Sequence, residues 1–215
     1  MLPQRIPVAR EGVPFILISA LAAVIFALLN WEISAVTALA VTAFVLYFFR
    51  DPERIVPCEP GLVLSPADGR IIEIADSSDA SLQGDSVRRI SIFMNVFNVH
   101  VNRAPISGTV EQISYSSGSF FPADKKKAML KNEQNALLLK GGDGFQVTVI
   151  QIAGLVARRI VCWAETGDNI RQGRRFGMIR FGSRLDVYIP DDAEILVHKG
   201  QKVQAGQSVL ARTVQ

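Results

Sequence analysis

The chain has 215 residues, enough for one compact domain with an addition. Hydrophobic residues make up 49% and mean hydropathy is +0.25, an apolar excess concentrated before residue 50. A net charge of +3 is too mild to argue for a nucleic-acid partner and fits an anionic membrane surface. The two cysteines, Cys58 and Cys162, form no close pair and no metal pattern, and read as free thiols in a reducing compartment.

Residues 1–12 are polar and carry Arg5 and Arg10. Two apolar runs follow, Phe15–Leu29 and Ile33–Phe49, separated by Asn30-Trp31-Glu32. Each is short for a full span, which needs about 20 apolar residues. Joined by a polar hinge, they predict a hydrophobic helical hairpin over residues 1–50. Arg5 and Arg10 before it and Arg50 and Arg54 after it set both ends on the cytoplasmic side of the cell (inner) membrane. A hairpin dipping into one leaflet fits equally well. A signal peptide cut after Ala38-Leu39-Ala40 fits worse, because its apolar region would be too long.

Residues 51–60 read as a linker, since Pro52, Pro57 and Pro60 block regular structure. From residue 61 to 215 the pattern changes to short strands with frequent turn signals. Leu62–Leu64, Ile71–Ile74, Arg89–Phe93, Val96–Val101, Thr109–Ser114, Ala136–Leu139, Phe145–Ile152, Leu185–Ile189 and Val209–Ala211 all read as strands. One helix-like stretch lies around Lys125–Gln134, and Arg171–Gly177 reads as a Gly- and Arg-rich loop. The expected class is mainly β with a short helix, a barrel- or sandwich-like domain behind an N-terminal hydrophobic hairpin. Leu62–Ile74 and Ile195–Ala211 also look like the two halves of a biotinyl/lipoyl-type sandwich.

Three residues could carry chemistry. Ser183 follows Gly182 just before a strand-like run. Most Gly-Ser pairs are ordinary turns. In a bent and strained backbone, however, the serine hydroxyl can attack the preceding glycine carbonyl, which no side chain shields. The amide becomes an ester, and elimination cuts the chain. The dehydroalanine left behind hydrolyses to a pyruvoyl group. Such a hydroxyl needs a base, and the chain has only His100 and His198. His198 beside Lys199-Gly200 reads as a surface turn residue. In Asn98-Val99-His100-Val101-Asn102, alternation puts Asn98, His100 and Asn102 on one face, which suits either a site or a hydrogen-bonded surface histidine. Asp68 in Pro66-Ala67-Asp68-Gly69 is either a turn residue or a site carboxylate. Lys125-Lys126-Lys127 and Arg158-Arg159 read as solvated charge runs, with anionic headgroups as an alternative partner.

Phe176-Gly177-Met178-Ile179-Arg180-Phe181-Gly182-Ser183-Arg184-Leu185-Asp186 resembles the processing site of the short bacterial and archaeal phosphatidylserine decarboxylases, which are pyruvoyl-dependent. Other blocks match in the same order: Phe48–Arg54, Ser65–Gly69, Asn98–Pro105, Asn132–Asn135 and Ile152–Arg159, so the resemblance covers nearly the whole chain. It implies self-cleavage into residues 1–182 (the β chain) and 183–215 (the α chain), which stay together as a heterodimer, with higher oligomers open. Ser183 would become the pyruvoyl group and form a Schiff base with the amine of phosphatidylserine, and decarboxylation would give phosphatidylethanolamine. The resemblance also makes His100 the acid–base group and Asp68 the carboxylate that orients it, with membrane lipids as partners. The longer bacterial form has two histidines in the His100 block, and Arg103 stands where the second would be. Either His100 serves both self-cleavage and turnover, or a water assists.

Two rivals remain at this point. One is a membrane-anchored lipoyl/biotinyl-like adaptor or carrier without catalysis, but neither predicted hairpin tip presents the flanked lysine that a carrier needs. The other is a pyruvoyl decarboxylase for a soluble amino acid or another aminophospholipid. The hydrophobic hairpin argues against a soluble substrate.

Overall fold

The computed structural model describes residues 7–77, 86–118, 132–154, 159–180 and 183–213. The chain forms two compact units, Met1–Glu53 and Arg54–Gln215. In the first, a 3₁₀ turn (Arg10–Gly12) leads into α1 (Val13–Leu28), and α2 (Glu32–Phe48) returns antiparallel to it. Pro14 sits in the first turn of α1, where its missing N–H costs nothing. Asn30 closes the connection at φ 58°, a left-handed position that asparagine tolerates. The two ends of the hairpin are zipped together. Ala9 N–H donates to Phe49 O at 2.8 Å, Asp51 N–H donates to Pro7 O at 2.8 Å, and Val8 bridges Arg50. Both helices expose large apolar side chains, among them Leu17, Ile18, Leu28, Ile33 and Val36. Arg10–Leu28, 19 residues at a mean hydropathy of 2.2, is long and apolar enough to cross a membrane; α2 is shorter.

The second unit is antiparallel β. An eight-stranded sheet, curled as a half-barrel, dominates it. Its strands are β2 (Gly69–Ser77), β3 (Val87–Met94), β5 (Gly108–Ser116), β6 (Gln134–Lys140), β7 (Gln146–Ala153), β9 (Asn169–Ile170), β11 (Ser183–Pro190) and β13 (Lys202–Val203). Their order is β13-β2-β3-β11-β7-β6-β5-β9, so β11 lies near the middle between β3 and β7. Two three-stranded sheets complete the unit. One has the order β1 (Leu62–Leu64), β14 (Val209–Arg212), β12 (Glu194–Ile195); the other is β4 (Val101–Arg103), β10 (Arg175–Ile179), β8 (Ile160–Cys162).

Alternation explains the packing of the large sheet. One face carries Ile71, Ile90, Ile92, Met94, Leu137, Leu139, Val147, Val149, Leu185, Val187 and Ile189, all buried in one core cluster with Phe176 and Ile179 of β10. Between Ile71 and Glu73 the β2–β3 register slips by one residue. This bulge reverses the alternation. Ile71 and Ile74 both reach the core, while Glu73 is placed beside Ser91 on the far face.

The mainly β class with an N-terminal apolar hairpin holds, and most predicted strands are present. Leu62–Ile74 and Ile195–Ala211 do zip together, through β1–β14 and β2–β13. Three details differ. Asn95–Asn98 form a turn, because Asn98 Oδ1 accepts the Asn95 N–H and Asn95 Oδ1 accepts the Phe97 N–H, each at 2.9 Å; the strand begins only at Val101. The end of the Arg-rich stretch is strand β10 and not loop. The helix expected around Lys125–Gln134 lies outside the described residues up to position 131, and its last positions are not helical: Asn132 forms a bridge and Gln134 opens β6.

Candidate active site

One end of the large sheet gathers the residues of interest. Ser183 is the first residue of β11 and faces the core side, paired with Met94 of β3 and Ala153 of β7. It is fully buried, and its Oγ has no hydrogen-bond partner among the described residues. A buried hydroxyl left unpaired costs about 1–3 kcal/mol, so native proteins rarely keep one without a use. Gly182, the other half of the expected cleavage site, lies outside the described residues.

His100 immediately precedes β4. It too is fully buried, so it is no surface histidine. Its Nδ1 lies 2.9 Å from the carbonyl oxygen of Asn98. A carbonyl only accepts, so Nδ1 carries the proton and Nε2 of the neutral ring is the basic nitrogen. The His100 carbonyl accepts from Ile179 N–H at 3.4 Å, four residues before Ser183. Two residues along, Asn102 Nδ2 contacts Met94 Sδ at 3.9 Å, and Met94 is the cross-strand partner of Ser183. His100 is therefore tied by its carbonyl to Ile179 of β10, and its neighbour Asn102 contacts the strand that pairs with Ser183.

Asp68 precedes Gly69, the first residue of β2. A Cβ on Gly69 would lie 2.3 Å from the Phe93 carbonyl oxygen, so only glycine allows β2 to approach β3 this closely. Asp68 is thereby held at the sheet end occupied by Met94 and Ser183. It is buried, and Oδ1 accepts the Ala205 N–H at 2.8 Å while Oδ2 accepts from Arg54 Nη2 at 2.9 Å. Arg54 is fixed in turn by Gln207 Oε1 at 2.8 Å. On the neighbouring strand, Arg103 N–H donates to Pro66 O at 2.9 Å. His198 lies in the connection before β13.

Sequence reasoning missed a set of buried amides. Asn135 Nδ2 donates to Gln151 Oε1 at 3.0 Å, and Gln151 Nε2 donates to Asn102 Oδ1 at 2.9 Å, joining β6, β7 and β4 beneath the site. Asn132 Nδ2 donates to Ala153 O at 2.7 Å, and Ala153 N–H donates to Glu133 O at 3.0 Å. These two bonds anchor the residue that pairs with Ser183. The signal was present as amides at alternating positions of otherwise apolar strands. The far face of the sheet was missed as well. There Arg184 and Asp186 form an ion pair with side chains 2% and 0% exposed. Beside it, burial acts to lower the pKa of Arg89, but Asp186, Tyr188 and Glu73 outweigh that and hold it above its ordinary value.

A family model described as phosphatidylserine decarboxylase matches residues 41–211. A phosphatidylserine decarboxylase proenzyme of Desulfotalea psychrophila is 49% identical over 214 residues, which covers 100% of both chains. Those of Syntrophus aciditrophicus and Geotalea uraniireducens are 50% and 45% identical, covering 94% and 96% of this chain and 96% and 97% of their own. The chain is thus an enzyme, a lyase that breaks a carbon–carbon bond by decarboxylation. It belongs to the phosphatidylserine decarboxylase family.

Proposed function

We propose that this enzyme converts phosphatidylserine to phosphatidylethanolamine in phospholipid biosynthesis, using a pyruvoyl group made from Ser183 by self-cleavage after Gly182. The observation that carries the reading is that Ser183 Oγ is buried with no hydrogen-bond partner among the described residues, next to Gly182 in the sequence. The curated relatives are named as proenzymes, which fits a chain that matures by cutting.

In this reading His100 Nε2 takes the Ser183 Oγ proton as the oxygen adds to the Gly182 carbonyl, and the Asn98 carbonyl holds the ring in the tautomer this requires. The amide nitrogen leaves the carbonyl carbon and takes up the proton that His100 received from Oγ, giving a free amine on residue 183 and an ester on Oγ. Loss of the Ser183 Cα proton then expels the Gly182 carboxylate, and water releases ammonia from the dehydroalanine. In this reading Asp68, itself held by Arg54 and the Ala205 N–H, is the carboxylate that orients His100. The bond from Ala205 to Asp68 spans the two products, residues 1–182 and 183–215, and helps keep them together as a heterodimer. The pyruvoyl group supplies an electron sink for the carbanion left by decarboxylation. His100 returns a proton to the substrate carbon.

The domain plan follows: a membrane-associating hairpin over 1–50, a linker over 51–60 and the catalytic unit over 61–215. The apolar surface of α1 and α2 suits an enzyme whose substrate stays in the bilayer. The arginines flanking the hairpin favour a catalytic unit on the cytoplasmic side of the cell membrane. The test is carbon dioxide release from phosphatidylserine vesicles before and after phenylhydrazine, which caps ketones. The expected result is complete loss of activity with the reagent on the short chain. Full activity after treatment would contradict the pyruvoyl part.

A further inference from the structure

The far face of β11 raises a problem that burial alone does not answer. Arg184 Nε donates to Asp186 Oδ1 at 2.6 Å, and Nη2 donates to Asp186 Oδ2 at 2.9 Å and to Ser91 Oγ at 2.7 Å. Glu73 Oε2 lies 3.9 Å from the same Nη2 and accepts from Arg89 Nη2 at 2.8 Å. The network crosses three adjacent strands, β11, β3 and β2. Glu73 takes part only because the bulge after Ile71 re-aims it. A fully buried ion pair is weak evidence for stability, since well-packed apolar residues of similar size often serve as well or better. The core face of the same strand shows that apolar residues pack well here. The charges need another reason.

Position in the chain supplies one. Before cleavage, residue 183 is held from both sides by a continuous backbone. After it, Ser183 is a chain end, and ends fray unless tied down. The conversion also removes the residue's own backbone nitrogen, so one ladder donor is lost. Arg184 is then the first residue of the new chain with both an amide N–H and an anchored side chain. A guanidinium fork held at two nitrogens resists rotation in a way that an aliphatic side chain does not.

We propose that Arg184, clamped by Asp186, Ser91 and Glu73, is a positioning residue that holds the newly cut end of β11 so that the pyruvoyl group stays where Ser183 was. This rests on the self-cleavage proposed above. The clamp matters little to the uncut chain and a great deal to the cut one.

The test compares two backgrounds by native-state hydrogen exchange. The clamp is removed by the double substitution Arg184→Met/Asp186→Leu, which leaves no unpaired buried charge. In the uncut Ser183→Ala background, protection of the first residues of β11 is expected to be the same with and without the clamp. In the cut enzyme its removal is expected to lower protection there by about tenfold. The same loss of order is expected to lower kcat by about 10²-fold with KM unchanged. Equal protection in the cut enzyme with and without the clamp would overturn the proposal. So would an equal loss in both backgrounds, which would mark the network as purely structural. If the double variant does not fold, Arg184→Lys answers the same question, because it keeps the charge and loses the fork; its expected result is a smaller shift in the same direction, and no shift overturns the proposal. A wild-type chain that never cuts would show in its mass and would remove the self-cleavage reading first, and this inference with it.

Discussion

Strand β11 puts Ser183, Leu185, Val187 and Ile189 on one face and Arg184, Asp186 and Tyr188 on the other, and the two faces meet burial in opposite ways. On the core face, three aliphatic side chains pack and one hydroxyl is buried with no partner among the described residues. On the far face, two opposite charges are buried, and each meets the other at two atoms. The contrast separates reactivity from anchorage. A guanidinium with several hydrogen bonds is fixed, whereas in the proposed reading the hydroxyl is the group that reacts. That reading puts the reacting atom on the residue next to the anchored Arg184.

That contrast can be broken from either side. Ser183→Ala is expected to abolish both chain cutting and lipid decarboxylation. Compared with the wild-type chain caught before it cuts, it should also stabilise the fold by about 1 kcal/mol in denaturant unfolding, because it removes a buried hydroxyl with no partner among the described residues. A loss of stability instead would mean that the hydroxyl has a partner in solution. His100→Gln removes the base and is expected to slow cutting by about 10²–10⁴-fold, followed as the ratio of cut to uncut chain over time after refolding. Asp186→Ala acts on the far face with the opposite sign in stability. It leaves the buried Arg184 charge with only Glu73, 3.9 Å away, as a counter-charge and should cost about 3 kcal/mol in the same unfolding experiment. The smallest effect sharpens the comparison of exposed and buried nucleophiles. Burial pushes the Cys162 thiol up, with Asp168 adding to it and bonds to Ala164 and Asn135 only partly offsetting it, whereas Cys58 is exposed. Iodoacetamide at neutral pH should therefore modify Cys58 well before Cys162, as read by peptide mass mapping.

Much of this was legible in the sequence where a residue's role depends on its own strand. The apolar alternation of Val147–Val149 and Leu185–Ile189 announces strands, and the hairpin follows from hydropathy alone. What could not be read depends on a neighbouring strand. Gly173–Gly177 looks like loop because two glycines and two arginines suppress any strand pattern. Yet Gly177 lies in β10 because a Cβ there would meet Val161 O at 2.3 Å and Gln151 Nε2 at 3.1 Å. Val96–Val101 reads as a strand because Phe97, Val99 and Val101 alternate, but Asn95 and Asn98 bond to the local backbone and close a turn instead. Arg184 and Asp186 alternate with the apolar residues of β11, and their own strand does not tell whether that second face is solvated or buried. Only the bulge in β2, which aims Glu73 at them, shows that this face is a buried network. His100 and Asp68 stood out as candidates from residue type, whereas the Asn135–Gln151–Asn102 chain needs three strands in register before it exists.

The most direct measurement is the intact mass of the purified wild-type protein under denaturing conditions. The expected result is two chains, residues 1–182 and 183–215, with the smaller one lighter by one ammonia than a chain that begins with serine. A single full-length chain that nonetheless decarboxylates phosphatidylserine would contradict the reading of Ser183 at its root.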